Sequence, residues 1–130
     1  MTSPLASSIS LPNGSVLPNR LCKSAMTEGL ADKFDLPTAE LIQLYKTWAL
    51  GGTGLHITGN IMVDRRYLER AGNVVLEDDK NIELFRSWSK QGTAGGNHLW
   101  VQLNHPGRQC HRMVSNTPLC PSYVQLTILR

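Results

Sequence analysis

With 130 residues, 41% of them apolar and 18% charged, the chain can build one compact core and is excluded from the disordered class. A formal net charge of +3 comes from dispersed Lys and Arg, without the basic block or module signature of a nucleic-acid binder. Apolar runs such as Leu99 to Val101 fall far short of the roughly 18–20 residues of a membrane span, and Met1 to Ser8 lacks the basic start and apolar middle of a secretory signal, so the expected location is cytoplasmic.

In chain order, Ile9 to Leu17 places apolar residues on both sides of Asn13-Gly14, which predicts a small two-stranded lid over about 9–17. A short strand is expected over Leu21 to Ala25, ending in the polar turn Met26-Thr27-Glu28-Gly29. Pro37 suits a first helical turn, and Leu41, Leu44, Tyr45, Trp48 and Ala49 recur at helical spacing before Gly51-Gly52 stops the helix. Gly54 to Thr58 predicts a second strand that gives way to Gly59-Asn60. Residues 63–77 read as a charged loop. Asp78 or Asp79 is expected to cap a second helix with Ile82, Phe85 and Trp88 on its buried face. A third strand, His98 to Leu103, then exits through Asn104-His105-Pro106-Gly107-Arg108.

Strand-helix-strand order implies parallel crossovers, and in parallel α/β architectures the carboxyl ends of the strands meet on the face where sites form. The three exits carry Ser24-Ala25-Met26-Thr27, Gly59-Asn60 and Gln102, offering a hydroxyl, a carboxamide and backbone groups beside small residues. There is no carboxylate pair and no nucleophile beside a base. Such groups suit a flat heterocycle with mixed donors and acceptors better than acyl or phosphoryl chemistry. Gly51-Gly52-Thr53-Gly54 precedes a strand instead of linking strand to helix, so it reads as a helix stop and not as a dinucleotide loop. Glu28 and Asp64 could serve as acids or bases, but both fall in loops without a recognisable partner and read rather as solvated surface residues. Arg108 reads equally as an anion holder or a plain surface residue, and His105 as a ligand contact or a brace for the Pro106-Gly107 turn. Cys22, Cys110 and Cys120 form no C-x-x-C pair, which argues against a disulfide framework; Cys110-His111 beside His105 is a weak metal-ligand pattern, and no metal is expected.

Three ordered segments, LPNGSVLPNRLCKSAMTEG, GGTGLHITGNIMVDRR and WVQLNHPGRQ, together resemble the Old Yellow Enzyme family of FMN-dependent NADH:flavin oxidoreductases across nearly the whole chain. The resemblance implies the N-terminal portion of a (β/α)8 TIM barrel: one truncated domain over 1–130, with the hairpin, three β/α units over about 20–110 and a tail over 111–130. It further implies that Ser24, Ala25 and Met26 lie along the flavin and its ribityl chain. Thr27 would stand near flavin N5 and O4, tuning the flavin where relatives carry a hydroxyl or a thiol. Asn60, at a position usually Gly or Ala in relatives, would meet the flavin through its backbone, and Gln102 would bind the pyrimidine edge. The implied reaction takes hydride from NADH or NADPH through FMN to an alkene conjugated to a carbonyl or nitro group. Its small-molecule substrate would be an activated alkene or quinone-like compound. The substrate-anchoring pair, the proton donor and the phosphate site of the last strands have no counterpart in the sequence. The other reading is a non-catalytic truncated product or interaction piece that binds no flavin.

Overall fold

The computed structural model describes residues 3–124. Its centre is a parallel sheet of four strands, β3 (Cys22–Lys23), β4 (Leu55–Met62), β5 (Val74–Val75) and β6 (His98–Asn104). β6 pairs along one whole edge of β4, so β3 and β5 share the other edge, β3 against Leu55-His56 and β5 against Ile61-Met62.

Three strands and one loop differ from expectation. β3 is shorter than 21–25, because the chain leaves the ladder at Ser24. β4 runs on to Met62, so Gly59 and Asn60 lie inside a strand and not beyond its end. The stretch 63–77 contains β5, whose two valines are buried against β4; a strand of two residues is too short to show any alternation. β6 likewise extends one residue further, to Asn104.

Along β4 and β6 the register changes once. Ile57 faces Trp100 and Asn60 faces Gln102, so Thr58 and Gly59 together oppose Val101 alone. This is a β-bulge, and it reverses which residues of β4 face which side of the sheet.

Helix α1 (Ala39–Leu50) starts two residues after Pro37, which lies in an isolated bridge to Ala31. The cap is Thr38: its Oγ1 accepts from the Leu41 N–H at 3.2 Å and donates to the Leu30 carbonyl at 2.7 Å. Leu41, Tyr45 and Ala49, at i, i+4 and i+8, form the buried stripe, while Leu44 and Trp48 are half-buried. Helix α2 (Ile82–Gly92) begins after Asn81 without a side-chain cap; Asp78 pairs with Lys80 instead, and Asp79 supplies only its carbonyl to Ile82. Of its expected face, Trp88 is fully buried and Ile82 and Phe85 are half-buried. Both helices cover one side of the sheet, and the main core gathers Leu41, Tyr45, Ile61, Val74 and Trp88, with Leu99 packed against it.

The hairpin of β1 (Ile9–Ser10) and β2 (Val16–Leu17) forms as expected, although its loop is longer than an Asn-Gly turn. The Leu11 N–H donates to the Ser15 carbonyl at 2.8 Å and Gly14 takes a φ of +84°, which a residue without Cβ adopts at little cost. His98, the first residue of β6, has its ring nitrogen 3.1 Å from the Val16 carbonyl. The hairpin therefore closes the amino ends of the strands and is no lid over their carboxyl ends.

Candidate functional site

The site begins where the chain leaves β3 and runs across the carboxyl half of β4. This crossing leaves no room for a side chain at Gly59: a Cβ there would sit 2.4 Å from the Met26 carbonyl oxygen and 2.9 Å from the Thr27 Cα. One position earlier, the buried Thr58 closes the gap in the ladder, its Oγ1 accepting from the Gln102 N–H at 3.0 Å and donating to the Gly59 carbonyl at 2.8 Å. Past the bulge, Asn60 lies on the same face as Gln102 of β6.

The three residues are joined by their side chains. Gln102 Nε2 donates to Asn60 Oδ1 at 2.5 Å, Asn60 Nδ2 donates to Thr27 Oγ1 at 3.4 Å, and Thr27 Oγ1 donates to Glu69 Oε2 at 3.5 Å. Both contacts at Thr27 are long. Arg70 forks onto Glu69 through Nε and Nη2 at 2.6–2.9 Å and, by that hydrogen bonding, holds its carboxyl below the usual range against the opposing effect of burial. Among the described residues, Gln102 Oε1 accepts from no donor, and no backbone N–H from Ala25 to Leu30 donates to another backbone group. Of the remaining residues expected at a cofactor, Ser24 is exposed, Ala25 is half-buried and Met26 is 54% exposed. They form the run leading into Thr27 and take no part in the side-chain chain.

Behind this face lies a second polar group that the sequence did not reveal. Glu28 is not a solvated acid: its side chain is 9% exposed, accepts from the Tyr45 hydroxyl at 2.6 Å and pairs with Lys23 at 3.5 Å. Lys23 also donates to the Ile57 carbonyl and lies 4.8 Å from the Trp48 ring centroid. The Tyr45 hydroxyl accepts from the Gly59 N–H, and burial together with the hydrogen bond to Glu28 raises its pKa well above the ordinary phenol value. Tyr45 reads in sequence as plain core, and a lone lysine in a short strand carries no pattern; Glu69 sits in a charged loop with nothing to mark it.

The other candidates lie elsewhere. Asp64 is held by a bidentate contact from Arg66, which lowers its carboxyl to about 2. His105 accepts from the Gly107 N–H at 3.1 Å and packs 5.2 Å from the Tyr67 ring, bracing the turn. Arg108 is exposed and, with Cys110, His111, Leu119 and Tyr123, lines a cleft of about 940 Å³ that touches none of Thr27, Asn60 or Gln102. The tail beyond residue 124 lies outside the described residues. Cys110 is buried, which pushes its thiol up, and among the described residues no cluster of His, Cys, Asp and Glu is arranged to hold a metal. Nor is any helix there long and apolar enough to cross a membrane.

No family model matches the chain. Curated relatives do. The chain is 42% identical over 106 residues to the NADH-dependent flavin oxidoreductase iliE of Hypocrea jecorina, covering 78% of this chain and 26% of that protein. It is 38% identical over 109 residues to iccE of Talaromyces variabilis, likewise an NADH-dependent flavin oxidoreductase, covering 81% and 26%. Among solved structures, the old yellow enzyme homologue from Zymomonas mobilis superposes with a TM-score of 0.78 at 22% identity, over 92% of this chain and 33% of that one. Morphinone reductase, also solved with tetrahydroNAD, gives 0.79 at 22% identity over 93% and 32%. The chain thus spans about a quarter of the length of these two curated relatives, and its strands and helices correspond to part of the barrel of the solved structures. In sequence the chain is similar to NADH-dependent flavin oxidoreductases, and in fold to Old Yellow Enzyme homologues, over part of the length of each.

Proposed function

We propose that the chain forms the FMN-contacting first part of an ene-reductase-type enzyme, in which hydride passes from NADH or NADPH by way of FMN to an activated alkene. The observation that carries this reading is the side-chain chain of Gln102, Asn60 and Thr27 on one face of the sheet, with Gln102 Oε1 accepting from no donor among the described residues. The donor set fits a flavin. An imide-like ring edge offers an N–H flanked by carbonyl oxygens, and the face opposite offers one acceptor at Gln102 and open backbone donors over Ala25–Leu30. Among the described residues this face carries no aspartate or glutamate pair suited to hydrolysis, and its Glu69 is tied to Arg70.

When bound, FMN would supply a carrier of two electrons and a proton, which no side chain here provides. The chain's own residues would bind and orient. Gln102 Oε1 would accept from the ring N–H, the Ala25–Thr27 backbone would donate to ring heteroatoms, and the exposed Met26 side chain would cover apolar ring surface. Thr27 presents a hydroxyl that cannot form a thiolate, so thiol-based redox regulation at that position is ruled out by its chemistry. The resemblance to NADH-dependent relatives at 42% and 38% identity supports a nicotinamide reductant.

The test is an FMN titration of the chain followed by quenching of flavin fluorescence. Saturable quenching is expected, weakened roughly fivefold to tenfold in Gln102→Leu, the net worth of one hydrogen bond. Absence of quenching, or equal affinity in Gln102→Leu, would favour the non-catalytic reading.

A further inference from the structure

We propose that Glu69 is a remote positioning residue: acting through Thr27 and Asn60, it sets the Gln102 carboxamide so that Oε1, and not the NH2 group, faces the ligand. The orientation stands on the geometry of the chain alone; identifying the ligand as a flavin rests on the function proposed above.

Each link has one permitted polarity once the end is fixed. An ionised carboxylate can only accept, so a hydroxyl bonded to Glu69 must donate to it. That leaves the Thr27 oxygen as an acceptor toward Asn60, which must turn its NH2 group to Thr27. The carbonyl of Asn60 then faces β6, and Gln102 can meet it only with Nε2. Turning the Gln102 amide over would set two carbonyl oxygens against each other. The Arg70 fork keeps the starting charge in place, and the Asn60 and Asn73 amides bear on Glu69 in the same sense. The bulge at Thr58-Gly59 makes the arrangement possible, since without it Asn60 would face the helices.

A site polarised in this way accepts a heterocycle carrying an N–H at the Gln102 contact and rejects one whose nitrogen is alkylated. Such a group contributes through orientation, since a mis-set carboxamide leaves a donor against the ligand's donor.

The experiment follows side-chain amide hydrogen exchange by NMR in the ligand-free chain and FMN affinity in parallel. Gln102 amide exchange is expected to quicken roughly fivefold to tenfold in Glu69→Gln and in Thr27→Val, and to stay near the wild-type rate in Thr27→Ser. Unchanged β4 backbone exchange marks an intact fold in each variant. In the binding arm, the wild type is expected to prefer FMN over N3-methyl-FMN, and Glu69→Gln is expected to lose most of that preference. Gln102 exchange that is the same in wild type, Glu69→Gln and Thr27→Val overturns the proposal. If exchange responds as expected and the wild type binds no FMN, the positioning role stands and the flavin assignment fails.

Discussion

At the scale of single residues, the site depends on atoms that a side-chain inventory overlooks. Gly59 contributes no functional group, yet its missing Cβ is what lets Met26 and Thr27 lie against β4. Gly59→Ala is expected to cost about 1–3 kcal/mol, the usual range for a forced fit in a packed region, seen as a lower urea midpoint with an unchanged slope. It should also separate Thr27 from Asn60 and so weaken FMN binding more than a surface substitution would. Thr27, Asn60 and Gln102 are legible in sequence because each sits at or near the end of an apolar run, where hydrogen-bonding residue types stand out. Glu69 is not legible: its contact with Thr27 spans 42 residues of sequence and is made from a loop rich in charge. Glu28 is misread for a related reason, since a glutamate after a short strand looks solvated until Lys23 and Tyr45 are known to enclose it.

At the scale of elements, the helices are the clearest features in sequence because their 3.6-residue periodicity runs over three turns, whereas β5 has two residues and no period at all. The β4 bulge is also invisible to pattern reading, since Thr58-Gly59-Asn60 looks like a strand end. Between helix and sheet, the interface carries a titratable group, His56, which is fully buried, with Nε2 lacking a partner among the described residues and Nδ1 3.3 Å from Asn97 Nδ2. Burial first and the Lys23 charge second push its pKa below the ordinary 6.5. The sign follows from linkage. The unfolded chain takes up a proton at His56 more readily than the folded chain, so stability is complete above the unfolded value and declines as pH falls through 6.5 toward the lower folded value. The urea midpoint is therefore expected to drop between about pH 7.5 and about pH 5.5, a window above the ordinary carboxylate range. His56→Gln should flatten that dependence, and an equally steep slope in the variant would assign it to another group.

On the scale of the whole molecule, parallel β/α order is legible from alternating apolar runs and helical stripes, and the barrel architecture follows from the resemblance and from the superposition on Old Yellow Enzyme homologues. What pattern reading did not reveal is the placement of the hairpin, because nothing local to Ile9–Leu17 says which end of the strands it closes; the contact from His98 does. β6 pairs only with β4 among the described strands, and Trp100, Val101 and Leu103 are 43%, 51% and 62% exposed along it. In a closed barrel the next strand would cover that edge. The Gln102–Asn60–Thr27–Glu69 chain forms without it, since all four residues come from segments present here. The most direct measurement is therefore a map of where FMN touches the isotope-labelled chain, made by following backbone and side-chain amide resonances during titration. Shifts concentrated at Ser24 to Thr27, Asn60 and Gln102, with the hairpin unmoved, are the expected result. Shifts confined to the cleft between Arg108 and Val124, or no shifts at all, would contradict the assignment of this face as the flavin site.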